Sequence, residues 1–254
     1  MIPVTIGLFF LGLLFGSFFN VVGIRLPAGQ SVVSPPSSCP SCGRRLSAKD
    51  LIPVVSWLFQ RGRCRTCGEP ISPLYLLGEL ATGIGYAALP HLIQDLPELL
   101  FAYVFISVMI IITISDLRYQ IIPNKIIYPM IVLTLIYRIL YHPLPMWEYL
   151  SGFAIGGGML LLVSVIGRWM GKPNAMGGGD VKLMAWIGLA GGLQMILLCI
   201  FLSSLIGFLV GVILLWSRKL ASTAIPFGPF IAIGACVSLM LHETIFTWYL
   251  GLFI

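Results

Sequence analysis

The sequence predicts an all-α polytopic membrane protein, with about eight transmembrane helices and one small hydrophilic insert between the first two. Three observations predict it. The chain has 15 basic and 9 acidic residues among 254, so 9% are charged. A soluble domain carries about 25%, and 9% is too few to coat a water-facing surface. Hydrophobic residues make up 58% and the mean hydropathy is +1.00. Finally, uncharged apolar runs of helix-spanning length recur along the chain. Soluble α/β classes and secreted disulfide scaffolds are excluded.

The runs fall at about 4–24, 73–93, 99–115, 126–141, 150–167, 181–193, 195–216 and 230–250. Prolines punctuate the gaps: Pro90 and Pro97, Pro123, Pro143 and Pro145, Pro173, Pro226 and Pro229. The first run has no Lys or Arg before it and no small-residue cleavage site, so an uncleaved first helix held by Arg25 is expected. The sixth run is short. Thirteen residues rise only about 20 Å, against a hydrocarbon core of about 30 Å, so its Asp180 end is expected to be recessed below the cytosolic surface.

Basic residues set the orientation. Arg25, Arg44, Arg45, Lys49, Arg61, Arg63 and Arg65 lie between runs one and two; Arg118 and Lys125 between three and four. Arg168, Lys172 and Lys182 lie between or beside five and six, and Arg218 and Lys219 follow run seven. Only Arg138 lies toward the other face. The basic connections are therefore expected in the cytosol and both termini outside. The net charge of +6 is a topology signal, and no nucleic-acid partner is expected.

The chain thus divides into a first transmembrane helix (1–24), a cytosolic insert (25–72) and a seven-helix membrane core (73–254). The insert carries Cys39-Pro-Ser-Cys42-Gly43 and Cys64-Arg-Thr-Cys67-Gly68. Two such knuckles, 21 residues apart, match a tetrahedral Cys₄ zinc site. Reduced cytosolic thiols favour metal over disulfides or a redox dithiol, the two other readings. Four thiolates leave no open position for water, so the zinc is expected to be structural. An insert this small needs such a staple. Cys199 and Cys236 lie in apolar runs and read as packing residues.

Ionisable residues bordering membrane helices are functional candidates. Asp116 closes the third run in Ile114-Ser-Asp116-Leu-Arg-Tyr-Gln-Ile-Ile-Pro123, and Asp180 opens the sixth in Met176-Gly177-Gly178-Gly179-Asp180-Val-Lys182. Two helices separate them, so both belong at the cytosolic face. Opposed carboxylates at matched depth suit an aspartyl protease: one accepts a proton from water while its protonated partner donates to the scissile carbonyl. Helix dipoles favour the charge on Asp180, at an N-terminus, and the proton on Asp116, at a C-terminus. The bland alternative makes Asp180 a helix cap and Asp116 an ordinary interfacial residue.

These residues together resemble a family. Phe15-Gly-Ser-Phe-Phe-Asn20-Val-Val-Gly-Ile-Arg25-Leu-Pro27 resembles the opening of the prepilin peptidases, the type IV leader peptidases of bacterial membranes. The two knuckles and Gly62–Ser72 resemble their cytosolic domain. Gly177-Gly-Gly-Asp180 fits their G-x-G-D motif, and Ile225-Pro-Phe-Gly-Pro229 their penultimate loop. The resemblance spans about residues 9–235. It implies that Asp116 and Asp180 are catalytic, that Gly177, Gly179 and Lys182 support the motif, and that Cys39, Cys42, Cys64 and Cys67 hold Zn²⁺. It also implies cleavage of type IV prepilins or pseudopilins after a Gly at the cytosolic membrane border, in the bacterial inner membrane. Many members also methylate the new N-terminus with S-adenosylmethionine. One departure is visible: Pro123 is followed by Asn124, where the family often has an acid.

Glu79 lies about two turns into the second run. The resemblance places an acid here, with methyl-donor or substrate-amine binding as one reading and pairing with a loop Arg as the other. Asn20 is expected to bond across helices, and Gly83, Gly85 and Gly156–Gly158 to serve close packing. Lys182 either stabilises Asp180 or reaches lipid phosphates. No glycine-rich nucleotide loop is present, so the rival enzyme is a peptidase without methyltransferase activity, with the zinc domain serving substrate recognition. A small zinc-stapled transporter is the rival of another class, although no internal repeat supports it.

Overall fold

The computed structural model describes residues 2–171, 176–216 and 226–251. Lys172, Pro173, Arg218, Lys219 and Ile225 lie outside the described residues. The regular structure of the described residues is helical, with two isolated β-bridges in an insert made mostly of turns and loops. It divides into two compact units, Met1–Arg118 and Tyr119–Ile254.

The first unit holds α1 (Ile2–Arg25), the insert with its short α2 (Val55–Phe59), α3 (Pro73–Leu92) and α4 (Leu96–Tyr119). Ser72 starts α3 by accepting the Leu74 N–H at 3.3 Å, and Pro73 supplies a preset first-turn φ. Helices α1 and α3 touch backbone to backbone. A Cβ on Gly12 would lie 2.8 Å from Gly83 Cα, and one on Gly16 would lie 2.8 Å from Glu79 Cα. Small residues permit such contact where no hydrophobic effect drives helices together. As expected, Asn20 bonds across helices, donating to the Tyr75 carbonyl at 2.9 Å. Helix α4 joins through Tyr86 and Ser107, whose hydroxyls lie 2.8 Å apart.

The second unit holds α5 (Asn124–Leu140), α6 (Met146–Trp169), α7 (Gly178–Trp216) and α8 (Gly228–Gly251). Helix α7 contains the sixth and seventh apolar runs. It is interrupted at Gly192, whose φ of 79° and ψ of −171° are non-helical and open to glycine. The two arms fold back on each other, bringing Cys199 Sγ to 4.0 Å from Met184 Sδ. The reversal falls at Gly192, rather than at residue 194 between the two runs. The first arm, about 21 Å long, is the buried centre of this unit. Leu183, Met184, Trp186 and Ile187 are almost completely enclosed. It meets α6 through Gly152 against Gly188, with Met184 against Gly156. Gly158, by contrast, faces open space.

Helices α1, α4, α6 and α7 are long and apolar enough to cross a membrane, and Gly228–His242 is a shorter apolar stretch.

Candidate functional site

The insert places its four expected ligands together. Each knuckle closes in the same way. Cys39 N–H donates to the Arg44 carbonyl at 2.9 Å and Gly43 N–H to the Cys39 carbonyl at 3.0 Å. In the second, Cys64 N–H donates to Glu69 at 2.8 Å and Gly68 N–H returns to Cys64 at 2.9 Å. Gly43 and Gly68 take φ of 69° and 72°, the left-handed turn that residues with a Cβ resist. The bridges Ser38–Arg45 and Arg63–Pro70 seal the bases of the two loops.

All four Sγ atoms of Cys39, Cys42, Cys64 and Cys67 lie within 4.8 Å of one another, and the Cys39 and Cys67 sulfurs are 3.8 Å apart. A tetrahedron with metal–sulfur bonds of about 2.3 Å has an edge of about 3.8 Å. A disulfide would need about 2.05 Å. The cluster can therefore hold a metal ion, and the donor set is the soft one that zinc takes.

The backbone prepares these thiols for a cation. The Cys67 and Thr66 amides hold the Cys64 thiol down at about 6. The Cys42 and Ser41 amides likewise lower Cys39. The Glu69 amide pulls Cys67 down, but burial and the thiols of Cys64, Cys42 and Cys39 outweigh it and hold that group up at about 12. Crowded sulfurs cannot all ionise unless a cation joins them.

Sequence reasoning missed Asp50. It pairs with Arg44 of the first knuckle and, at 3.3 Å, with Arg65 of the second. Arg44 also donates to Thr66 Oγ1 at 3.1 Å. The Ser47 amide and hydroxyl, with help from Arg44, hold the Asp50 carboxyl down at about 2. The signal was Ser47-x-x-Asp50, a capping-box spacing around the 3₁₀ turn at Ala48–Asp50.

Asp116 is buried in the last turn of α4, within the first unit. Asp180 stands in the first turn of α7, within the second. Its amide bonds to the Gly177 carbonyl at 3.1 Å. Its carboxylate folds back so closely that a Cβ on Gly177 would lie 2.7 Å from Oδ2. A Cβ on Gly179 would lie 2.9 Å from Ile122. Both glycines of the motif thus stand where a side chain would crowd the aspartate or its supporting loop.

Lys182 turns toward α5, donating to Asn124 Oδ1 at 3.0 Å with its ammonium 4.9 Å from the Tyr128 ring centre. Asn124 keeps a hydrogen bond where an acid would have made an ion pair. Glu79 is buried and accepts the Val54 N–H at 2.7 Å. A backbone amide takes the place expected for a loop Arg.

The chain is similar to known proteins along most of its length. Residues 10–92 match the profile described as Bacterial Peptidase A24 N-terminal domain, and residues 103–212 match the Type IV leader peptidase family. The prepilin leader peptidase/N-methyltransferase of Bacillus subtilis is 37% identical over 245 residues, covering 96% of each chain. That of Pseudomonas aeruginosa is 34% identical over 268 residues, covering 94% of this chain and 91% of its own. The Aeromonas hydrophila protein of the same name is 31% identical over 271 residues, covering 97% and 93%. No solved structure gives a significant match. With both profiles in order and relatives matched almost end to end, the chain belongs to the type IV leader peptidase family.

Proposed function

We propose that this chain is a membrane aspartic endopeptidase that removes the leader of type IV prepilins or pseudopilins, and that it methylates the new N-terminus from S-adenosylmethionine. Family membership supports both activities, because the relatives carry both in their names. The observation that carries the site is the position of the two acids: Asp180 at a helix N-terminus behind a glycine run, and Asp116 buried at a helix C-terminus.

In this reading Asp180, favoured as a carboxylate by the α7 dipole, takes the proton from the attacking water. Asp116 donates to the scissile carbonyl. Gly177 and Gly179 keep the space around Asp180 open, and Lys182 braces the arm against α5. The chain crosses the bacterial inner membrane about eight times, with the insert and both acids toward the cytosol. It is organised as 1–24, 25–72 and 73–254, and Cys39, Cys42, Cys64 and Cys67 hold a structural Zn²⁺. The substrate, itself membrane-embedded, enters laterally from lipid with its leader in the cytosol. Glu79 is assigned to the methyl-donor side through its resemblance position, and its bond to Val54 gives it an anchoring task as well.

The test uses purified protein in lipid, a synthetic prepilin segment and S-adenosylmethionine, followed by mass spectrometry. Leader loss with a one-methyl mass gain is expected. Asp116→Asn or Asp180→Asn should slow cleavage at least about 10²-fold while the protein still inserts and binds zinc. Cleavage without methylation would leave a peptidase alone. Neither reaction, in protein with intact zinc and helicity, would return the aspartates to helix capping.

A further inference from the structure

The insert carries an apolar surface that neither the metal cluster nor the aspartates use. Leu51, Ile52, Val55, Leu58 and Phe59 are all exposed, Phe59 to 83% and Leu58 to 57%. Leu51 and Ile52 lie in the turn that leads into α2, and Val55, Leu58 and Phe59 lie on the helix itself. The opposite side is occupied: Trp57 is half-buried, donates to the Ile71 carbonyl at 3.3 Å and covers Gly62. Five adjacent exposed apolar residues are unexpected on an insert that otherwise faces water.

Two observations say what covers them. The first is depth. Val54, in the middle of this segment, donates to Glu79, six residues beyond the start of α3 and so about 9 Å along that helix. Glu79 also packs on α1, where a Cβ on Gly16 would lie 2.8 Å from Glu79 Cα. The segment is thus held beside the flank of two apolar helices, below the level at which α3 begins, and not out beyond their ends. The second is charge. The insert has seven basic residues against two acidic ones, and Asp50 is already paired with two arginines. Lys49, Arg61 and Arg63, which bracket the apolar face, are exposed.

We infer that residues 51–59 are an interfacial anchor that lies in the cytosolic leaflet, with the apolar face in the acyl boundary and Lys49, Arg61 and Arg63 against anionic lipid phosphates. An apolar face with a basic margin at headgroup depth is the pattern of a helix lying in the membrane plane. The same positive margin disfavours the basic leader of a substrate as occupant. The anchor also accounts for Val54, which holds a φ of 63°, an outlier for a β-branched residue. Glu79 fixes that strained amide, and the fixed amide sets the depth of the face.

The experiment uses the full zinc-loaded chain with a photoreactive benzoyl-phenylalanine at Phe59. Exposed Ser41 of the first knuckle is the control position. The protein is reconstituted in phosphatidylcholine vesicles with and without phosphatidylglycerol, irradiated and analysed by mass spectrometry. A several-fold excess of lipid adduct at Phe59 over Ser41 is expected. It should rise with phosphatidylglycerol and lose that rise in the Lys49→Gln, Arg61→Gln, Arg63→Gln variant. Retained zinc would show that the variant insert is folded. Adducts at Phe59 to a second copy of the chain or to an added prepilin segment, in place of lipid, would overturn the inference. Equal lipid labelling at both positions would overturn it too. A rise that survives the triple substitution would remove the basic residues from it.

Discussion

Trp186 Nε1 donates a 2.8 Å hydrogen bond to Thr134 Oγ1, and both side chains are buried. Two further polar links between α5 and the first arm of α7 flank it among the described residues. Lys182 reaches Asn124 near the Asp180 end, and Arg138 Nε donates to the Ala190 carbonyl at 3.0 Å near the reversal. Residues 182, 186 and 190 repeat every four positions and so share one helix face. Arg138, stacked 4.7 Å from the Tyr149 ring centre, satisfies a carbonyl whose helical partner the break at Gly192 removes. Three links spaced along one arm fix both its rotation and its axial position, and therefore the placement of Asp180.

Breaking the middle link should cost stability and turnover together. Thr134→Val removes the acceptor of this hydrogen bond from a buried indole N–H. A double-mutant cycle with Trp186→Phe should give a coupling of about 0.6 kcal/mol, at most about 1.7, by unfolding in detergent. Cleavage should show a lower kcat with KM little changed. A zero coupling would mean that the link contributes nothing.

Metal binding should release protons. The Cys67 thiol, held at about 12, is protonated at neutral pH and must lose its proton to ligate. Adding Zn²⁺ to metal-free protein at pH 7 should acidify a weakly buffered solution, and calorimetric enthalpies should vary with the buffer. Cys39→Ser with Cys42→Ser should abolish both signals along with the bound metal.

Asp50 gives the insert an acid-sensitive contribution. Its carboxyl sits near 2 when folded, against an ordinary 3.8. A lowered folded value means stability that is present above the unfolded value and lost as pH falls through the folded one. In metal-free protein, the gap in thermal unfolding between wild type and Asp50→Asn should be constant from neutral pH to about 4. It should then narrow as pH falls toward about 2. A gap unchanged at pH 2 would refute this account.

Two glycines in the second unit should respond oppositely to alanine. At Gly188 a Cβ would collide with the Gly152 carbonyl, so Gly188→Ala should destabilise by about 1–3 kcal/mol. At Gly158 nothing lies within 4 Å, so Gly158→Ala should be neutral or stabilise by up to about 1 kcal/mol. Thermal midpoints in one detergent would compare them directly.

Some of this was legible because it is local. The paired C-x-x-C knuckles with following glycines fix their own turns, and the four sulfurs converge as the spacing implied. Asn20, expected to bond across helices, does so. Asp50 was harder, because its pattern announces only a capped turn. That the same carboxylate also joins Arg44 to Arg65 depends on the two loops folding against each other. Glu79 has two readings in the sequence, a methyl-donor or substrate-amine site and a partner for a loop arginine; in the fold it accepts the backbone amide of Val54, which no side-chain pattern reveals.

By itself the sequence determined the class of the protein, the helical apolar runs, the four cysteines that could hold a metal ion and the two aspartates as candidates. Composition, periodicity and short-range spacing are properties of the chain alone. Only the tertiary structure decided that α7 reverses at Gly192, that Thr134, Asn124 and Arg138 hold the Asp180 arm, and that Val54 is pinned beside the membrane helices. Each of these depends on which surfaces meet. Among apolar helices hydrophobicity does not choose the partner, so close glycine contacts and a few buried hydrogen bonds do.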